Sequence, residues 1–166
     1  MRIGFGYDSH RFESGRTLVL GGVVFPNETG LKGHSDADVL LHAVIDALLG
    51  AAALGDIGSH FPDTDPKWRD ADSAKLLASV VEEVRAAGHA VSNVDATVIC
   101  EHPKIGPKIG EIKVRLSQLL DLPTTRISVK GKTNEKMDDI GAGLGIEVHA
   151  VCLLEEGLKF KVQSSR

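Results

Sequence analysis

Between Val39 and Leu54 the chain is apolar at every position except His42, Asp46 and Gly50. A helix through this stretch is hydrophobic almost all round and has to be buried. It is too short, and too often interrupted, to cross a bilayer. Asp38, His42 and Asp46 recur every fourth residue and form one polar stripe along it. Burying two carboxylates and an imidazole is costly unless they are paired or hold a metal. Two readings stay open: Asp38 serves the helix N-terminus while His42 is a hydrogen-bonded core histidine, or the stripe belongs to a metal site. Ser35 or Asp36 can cap this helix, and Ser35 and Asp38 stand in capping-box spacing.

The other elements follow from periodicity and punctuation. Ile3, Phe5 and Tyr7 alternate with Arg2, Gly4 and Gly6, which predicts a first strand with one buried face. A hairpin is expected at 17–25 around Gly21-Gly22, then a loop at 26–33. The segment 55–72 reads as a long loop rich in Asp, Gly and Pro. A second helix is expected at about 73–87, with Leu76, Leu77, Val80, Val81 and Val84 on one face. A strand at 91–101 precedes a third helix, opened by Pro107 and running through Leu120. Strands at about 126–132 and 144–154 enclose the turn-rich run NEKMDDIGAG. This order predicts an α/β fold (an α+β sandwich), a mixed β-sheet with helices on one face. The length of 166 residues suits one domain, taken as 1–156, with a polar tail at 157–166.

Composition excludes several classes of function. The net charge of −4, with no basic block, argues against an electrostatic nucleic-acid footprint. Cys100 and Cys152 sit among alternating apolar residues and read as buried thiols of a reducing compartment. The opening MRIGFGYDSHR lacks the apolar run of a secretory signal. No membrane contact and a cytoplasmic location are therefore expected.

Asp8 and His10, two apart on a strand, point the same way and can grip one ion. Alone, the pair reads equally as polar side chains at a strand end. Together with His42 it supplies two imidazoles and one carboxylate, the donor set of a catalytic zinc with an open fourth position. Asp46, one turn below, is expected to orient the His42 ring. His34-Ser35 precedes a helix N-terminus and suits a phosphate, though Ser35 alone reads as a cap. Asp56-Ile57-Gly58 lets backbone and carboxylate approach a hydroxylated ligand, and an ordinary helix-ending turn looks similar. Asp63-Thr64-Asp65 between two prolines reads also as a rigid turn. Lys130 to Lys136 offers cations, a hydroxyl and a carboxylate for a diphosphate and Mg²⁺, or a solvated loop.

These strings in this order resemble the 2-C-methyl-D-erythritol 2,4-cyclodiphosphate synthase family of the non-mevalonate isoprenoid pathway. The matching segments are RIGFGYDSHR at 2–11, LKGHSDADVLLHAVIDALLGAAALGDIG at 31–58, FPDTDP at 61–66, PKIGP at 103–107 and KTNEK at 132–136. The resemblance covers about residues 1–155. It implies a metal-dependent cyclase acting on a CDP-linked substrate, in which a 2-phosphate attacks the β-phosphorus and CMP leaves. Asp8, His10 and His42 match Zn²⁺ ligands, and Glu135 matches the ligand of a Mg²⁺ or Mn²⁺ ion. His34 and Thr133 match groups credited with stabilising the transition state. Asp8, His10, His34 and Ser35 also match positions that bind substrate. The methylerythritol unit is expected against Asp56, Ile57, Gly58, Phe61, Pro62, Asp63, Thr64 and Asp65. The cytidine is expected against Cys100, Glu101, His102, Pro103, Lys104, Ile105 and Gly106, with Lys132, Thr133, Asn134 and Glu135. The resemblance further implies a homotrimer with active sites shared between subunits, which would also account for so apolar a first helix. Asp139 and Ala142 depart from the Phe and Arg frequent in the family, and Lys132 from a frequent Thr. A zinc-dependent hydrolase that activates water is the competing class, and a non-catalytic trimeric binding domain is a third.

Overall fold

The computed structural model describes residues 1–156, so the tail at 157–166 lies outside the described residues. Strand β1 (Arg2–Leu20) turns Gly4, Gly6, Asp8 and His10 to one face and Ile3, Phe5 and Tyr7 to the other. The face pointing inward is the glycine face. Helix α1 (Val39–Ala52) lies so close against it that a Cβ at Gly4 or Gly6 would collide with the carbonyl oxygens of Ala47 and Ala43. Ile3, Phe5 and Tyr7 are left 73%, 62% and 46% exposed, which reverses the alternation expected from their hydrophobicity. In a period-two strand the face that admits a helix backbone has to be the one without side-chain bulk.

The expected hairpin forms, with Gly21 and Gly22 at φ 63° and 72°, the left-handed values such a two-residue turn needs. Its strands are longer than expected. The loop anticipated at 26–33 is mostly strand, because β2 (Val23–Leu31) pairs back along β1 as far as Phe12–Leu31. That pairing satisfies the backbone of a stretch whose composition favours turns.

Helix α1 starts at Val39, not at the expected Ser35 or Asp36, and Asp38 is its cap. No Ser35–Asp38 capping box forms. The wholly buried Asp38 carboxylate instead accepts the N–H groups of Leu41 at 3.0 Å, Gly21 at 2.9 Å and Gly22 at 2.6 Å. It therefore ties the helix start to the hairpin turn. Every residue of α1 except Asp46 and Gly50 is buried within the subunit. The apolar helix needs no second chain to cover it, contrary to the expectation attached to the trimer.

The long segment 55–72 holds the short helix α2 (Ile57–His60) and a 3₁₀ turn at Pro66–Trp68. Helix α3 (Ser73–Ala86) packs on α1. Strand β3 (His89–Ile99) leads through a 3₁₀ turn at Gly106–Lys108 into α4 (Ile109–Leu120), which returns to β4 (Ile127–Lys132). Helix α5 (Asp138–Gly141) precedes β5 (Gly145–Glu156). The sheet order is β2-β1-β5-β3-β4, with β3 and β4 parallel and the other neighbours antiparallel. Mixed α/β architecture is thus as expected. No helix of the described residues is long and apolar enough to cross a membrane.

Candidate active site

Because β1 presents Asp8 and His10 on its glycine face, they meet His42 on α1 beside the point of closest approach. Asp8 Oδ2 lies 3.0 Å from His10 Nε2 and 2.9 Å from His42 Nδ1, and the two nitrogens are 3.3 Å apart. A tetrahedral site with donors about 2.0–2.1 Å from zinc has edges of about 3.3–3.4 Å. The triangle is that size or slightly smaller, so these donors fit a metal after a small expansion. Among the described residues it is the one group of three such donors with metal spacing.

Electrostatics keep the Asp8 carboxylate in ligating form and set a proton against a cation at His10. Burial pushes the Asp8 carboxyl up, but hydrogen bonds with His10 and His42 outweigh it and lower its pKa to about 2. Burial pushes the His10 ring down, and its contact with Asp8 more than reverses this, so it titrates above the ordinary histidine value. His10 Nδ1 stands 2.7 Å from the Lys32 carbonyl oxygen, an acceptor only, so this nitrogen carries the proton. His42 Nε2 faces the hydroxyls of Ser73 at 2.9 Å and Ser35 at 3.1 Å. The expected role of Asp46 behind His42 is not found. The His42 ring exposes Nδ1 to the triad and turns Nε2 towards α3, while Asp46 accepts the Ile57 N–H at 2.8 Å and so anchors α2.

The triad opens into a cavity of about 490 Å³, also lined by His34, Ser35, Ile57, Gly58, Phe61, Pro62 and Asp63. His34 Nε2 is buried there with no hydrogen-bond partner. Such an unsatisfied atom is costly unless a ligand meets it. Trp68 and Leu76, which sequence reasoning missed, complete the wall. Three expected contacts fall outside it. Asp56 caps α2 with Ser59, Asp65 caps the 3₁₀ turn, and Thr64 is not among the lining residues.

A second cavity, about 290 Å³, is lined by Cys100, Pro103, Lys104, Ile105, Gly106, Lys132 and Thr133. The Cys100 thiol, pushed up to about 11 by burial, donates to the Pro103 carbonyl at 3.3 Å. Glu101 and Asn134 do not line this cavity: Glu101 Oε1 accepts the Asn134 N–H at 3.0 Å and holds that turn in place. His102 lines a different hollow with Phe12 and Glu28. Glu135 is exposed, accepts the Thr133 hydroxyl at 3.0 Å, and has left-handed φ of 51°. A further cavity, about 550 Å³, lies elsewhere, between Tyr7, Arg11, Asp139 and Glu147, where Arg11 pairs with Asp139 at 3.4 Å.

Strand register places Asp8 opposite Val148, Val148 opposite Val98, and Val98 opposite Gly131, two residues before Thr133. Three inter-strand steps separate Asp8 from Gly131, about 14 Å at the usual spacing.

Residues 1–155 match the YgbB family. A curated relative from Salinibacter ruber, named 2-C-methyl-D-erythritol 2,4-cyclodiphosphate synthase, is 56% identical over 93% of this chain and 99% of its own length. A solved structure of that synthase in a CDP-bound form is 42% identical, with a TM-score of 0.85, covering 93% of this chain and all of the other. The bifunctional IspDF of Campylobacter jejuni aligns with a TM-score of 0.90 at 41% identity, over 93% of this chain and 42% of that longer one. With the cluster on β1 and α1 in place and the likeness running through nearly the whole described chain, this protein belongs to the YgbB family of 2-C-methyl-D-erythritol 2,4-cyclodiphosphate synthases.

Proposed function

We propose that the chain is a metal-dependent cyclase that converts 4-diphosphocytidyl-2-C-methyl-D-erythritol 2-phosphate to 2-C-methyl-D-erythritol 2,4-cyclodiphosphate, with release of CMP. The observation that carries this is the Asp8–His10–His42 cluster opening into a cavity beside the unpartnered His34 nitrogen, in a chain 56% identical to a relative of that name. One oxygen of the 2-phosphate forms a bond to the β-phosphorus. The bond from that phosphorus to the oxygen bridging the α-phosphate breaks, and CMP departs with the bridging oxygen. No water is consumed. Such a transfer asks a protein for positioning and charge neutralisation, not for a nucleophile.

Asp8, His10 and His42 would hold a zinc ion, and Glu135 a magnesium or manganese ion completed by phosphate oxygens and water. The bound cations supply charge neutralisation at phosphate oxygens. His34 Nε2 and the Thr133 hydroxyl are the groups for the transferring phosphate. Ile57, Gly58, Phe61, Pro62 and Asp63 receive the methylerythritol unit, and the second cavity receives the cytidine.

The assembly is a homotrimer with shared sites, working in the cytoplasm. Two features support this reading. Gly131, which lines the second cavity, stands three strands from Asp8, about 14 Å across the sheet, too far for one subunit to bring both to one phosphorus. The open sheet face also carries Ile3, Phe5, Tyr7 and Val151 in an exposed apolar patch.

Product analysis tests the reaction. Metal-loaded protein with the CDP-linked substrate is expected to give CMP and cyclic diphosphate in equal amounts. Inorganic phosphate or an opened diol would point instead to a zinc-dependent hydrolase.

A further inference from the structure

We propose that Ser73, backed by Asp36, is a positioning residue that fixes which nitrogen of His42 faces the metal. Ser73 is the first residue of α3 and is wholly buried. Its hydroxyl lies 2.5 Å from Asp36 Oδ1 and 2.9 Å from His42 Nε2. The second Asp36 oxygen accepts the Ser73 N–H at 3.0 Å, so the carboxylate grips the serine by backbone and side chain together.

Donor and acceptor accounting sets the direction of this chain. An ionised carboxylate only accepts, so the one hydroxyl proton of Ser73 goes to Asp36. Ser73 Oγ then has only lone pairs to offer His42, and the ring proton belongs on Nε2. The lone pair is left on Nδ1, the nitrogen 2.9 Å from Asp8 Oδ2 and 3.3 Å from His10 Nε2. Ser35 cannot make this selection. Its hydroxyl lies 3.1 Å from the same nitrogen and accepts the Ala37 N–H, but its own proton is not committed to a carboxylate. It can serve either tautomer.

The ligating ring of His10 is fixed in the same way by the Lys32 carbonyl. The two imidazoles thus have different outer partners, a neutral carbonyl for His10 and a carboxylate relayed through a hydroxyl for His42. The relayed negative charge makes Nδ1 of His42 a stronger donor to a cation, and loss of such a partner typically weakens metal affinity about 10–100-fold. The chain also joins three segments, the loop before α1, α1 itself and the start of α3.

This inference rests on the metal reading of the triad. Its test is zinc affinity by competition with a chromophoric chelator, together with the imidazole N–H resonances of the zinc-loaded protein. Ser73→Ala is expected to bind zinc about 10–100-fold more weakly and to lose the slowly exchanging His42 Nε2 proton. Asp36→Asn shifts affinity in the same direction and serves if Ser73→Ala does not fold. Ser35→Ala is expected to cost less than either. Wild-type affinity in Ser73→Ala with the Nε2 proton retained, or a greater loss in Ser35→Ala, overturns the assignment. Failure of the wild-type protein to bind zinc at all removes the metal reading and this inference with it.

Discussion

His10 gives its Nδ1 proton to the carbonyl oxygen of Lys32 across 2.7 Å, which leaves Nε2 as the nitrogen facing Asp8. Burial pushes the pKa of this ring down, but the Asp8 carboxylate raises it above the ordinary histidine value. A cation and a proton therefore compete for Nε2. Metal affinity is expected to fall as pH drops through the range in which this ring takes up its proton, beginning above the usual imidazole value of about 6.5, with a proton released on binding. Asp8 does not share in this, because its carboxyl stays ionised down to about pH 2. Calorimetric titration in buffers of different ionisation enthalpy measures the released proton. Affinity that stays constant across this range would contradict the assignment of Nε2.

Helix α1 reaches the site because β1 is bare at Gly4 and Gly6. Gly6→Ala places a methyl group against the Ala43 carbonyl and pushes the helix away from the strand. The expected loss is about 1–3 kcal/mol of stability, read from the midpoint of a denaturant curve. Metal affinity falls as well, since His42 precedes Ala43. Gly110→Ala is the control for crowding, because a Cβ there meets nothing within 4 Å and the backbone is not in the left-handed region.

Asp38 is buried with three backbone N–H groups on its carboxylate, and burial pushes its pKa up to about 6 despite them. The folded chain then holds a proton that the unfolded chain releases near the ordinary carboxyl value of 3.8. The stability this group contributes is full below that value and is lost as pH rises through about 6. Asp38→Asn removes the dependence. The check is a set of unfolding curves from pH 4 to 7, roughly spanning that window. Wild type and variant should converge in slope outside it and differ within it.

The open face of the sheet allows a test of the proposed trimer. Phe5 is 62% exposed beside Tyr7 and His149, with ring centroids 5.8 Å from Phe5 to His149 and 5.1 Å from Tyr7 to His149. Light scattering is expected to give about 53 kDa, three copies of the 17.7 kDa chain. Phe5→Asp should shift the mass towards the monomer. If sites are shared, mixing inactive His42→Ala and Thr133→Ala subunits restores part of the activity, and no restoration would argue for self-contained subunits.

Much of the site was legible in the sequence because its donors obey local periodicities. Asp8 and His10 share a strand face, and His42 is a polar break in an apolar helix. The orientation of β1 was not legible, because hydrophobicity ranks Phe5 and Tyr7 above glycine for burial while helix packing demands the reverse. Asp46 misled for a related reason. Helical spacing puts it one turn from His42, but the ring's rotamer turns its outer nitrogen to α3. Ser73 looks like an ordinary residue at a helix start, and Arg16, which donates to the Gly33 and Ser35 carbonyls, looks like part of a hairpin. Neither carries a local signal, since both meet their partners only through tertiary contact. The strand conformation of 26–31 was likewise set by pairing with β1, not by its own composition.

In the proposed cyclisation the 2-phosphate, not water, attacks the β-phosphorus. Turnover of the CDP-linked substrate in ¹⁸O-labelled water, with both products analysed by mass spectrometry, separates the two attacking groups. Cyclisation predicts unlabelled CMP and unlabelled cyclic diphosphate in equal amounts, with no rate above background for His42→Ala. One solvent oxygen in either product, formed at the rate of turnover, would show that the site activates water and would contradict the cyclase.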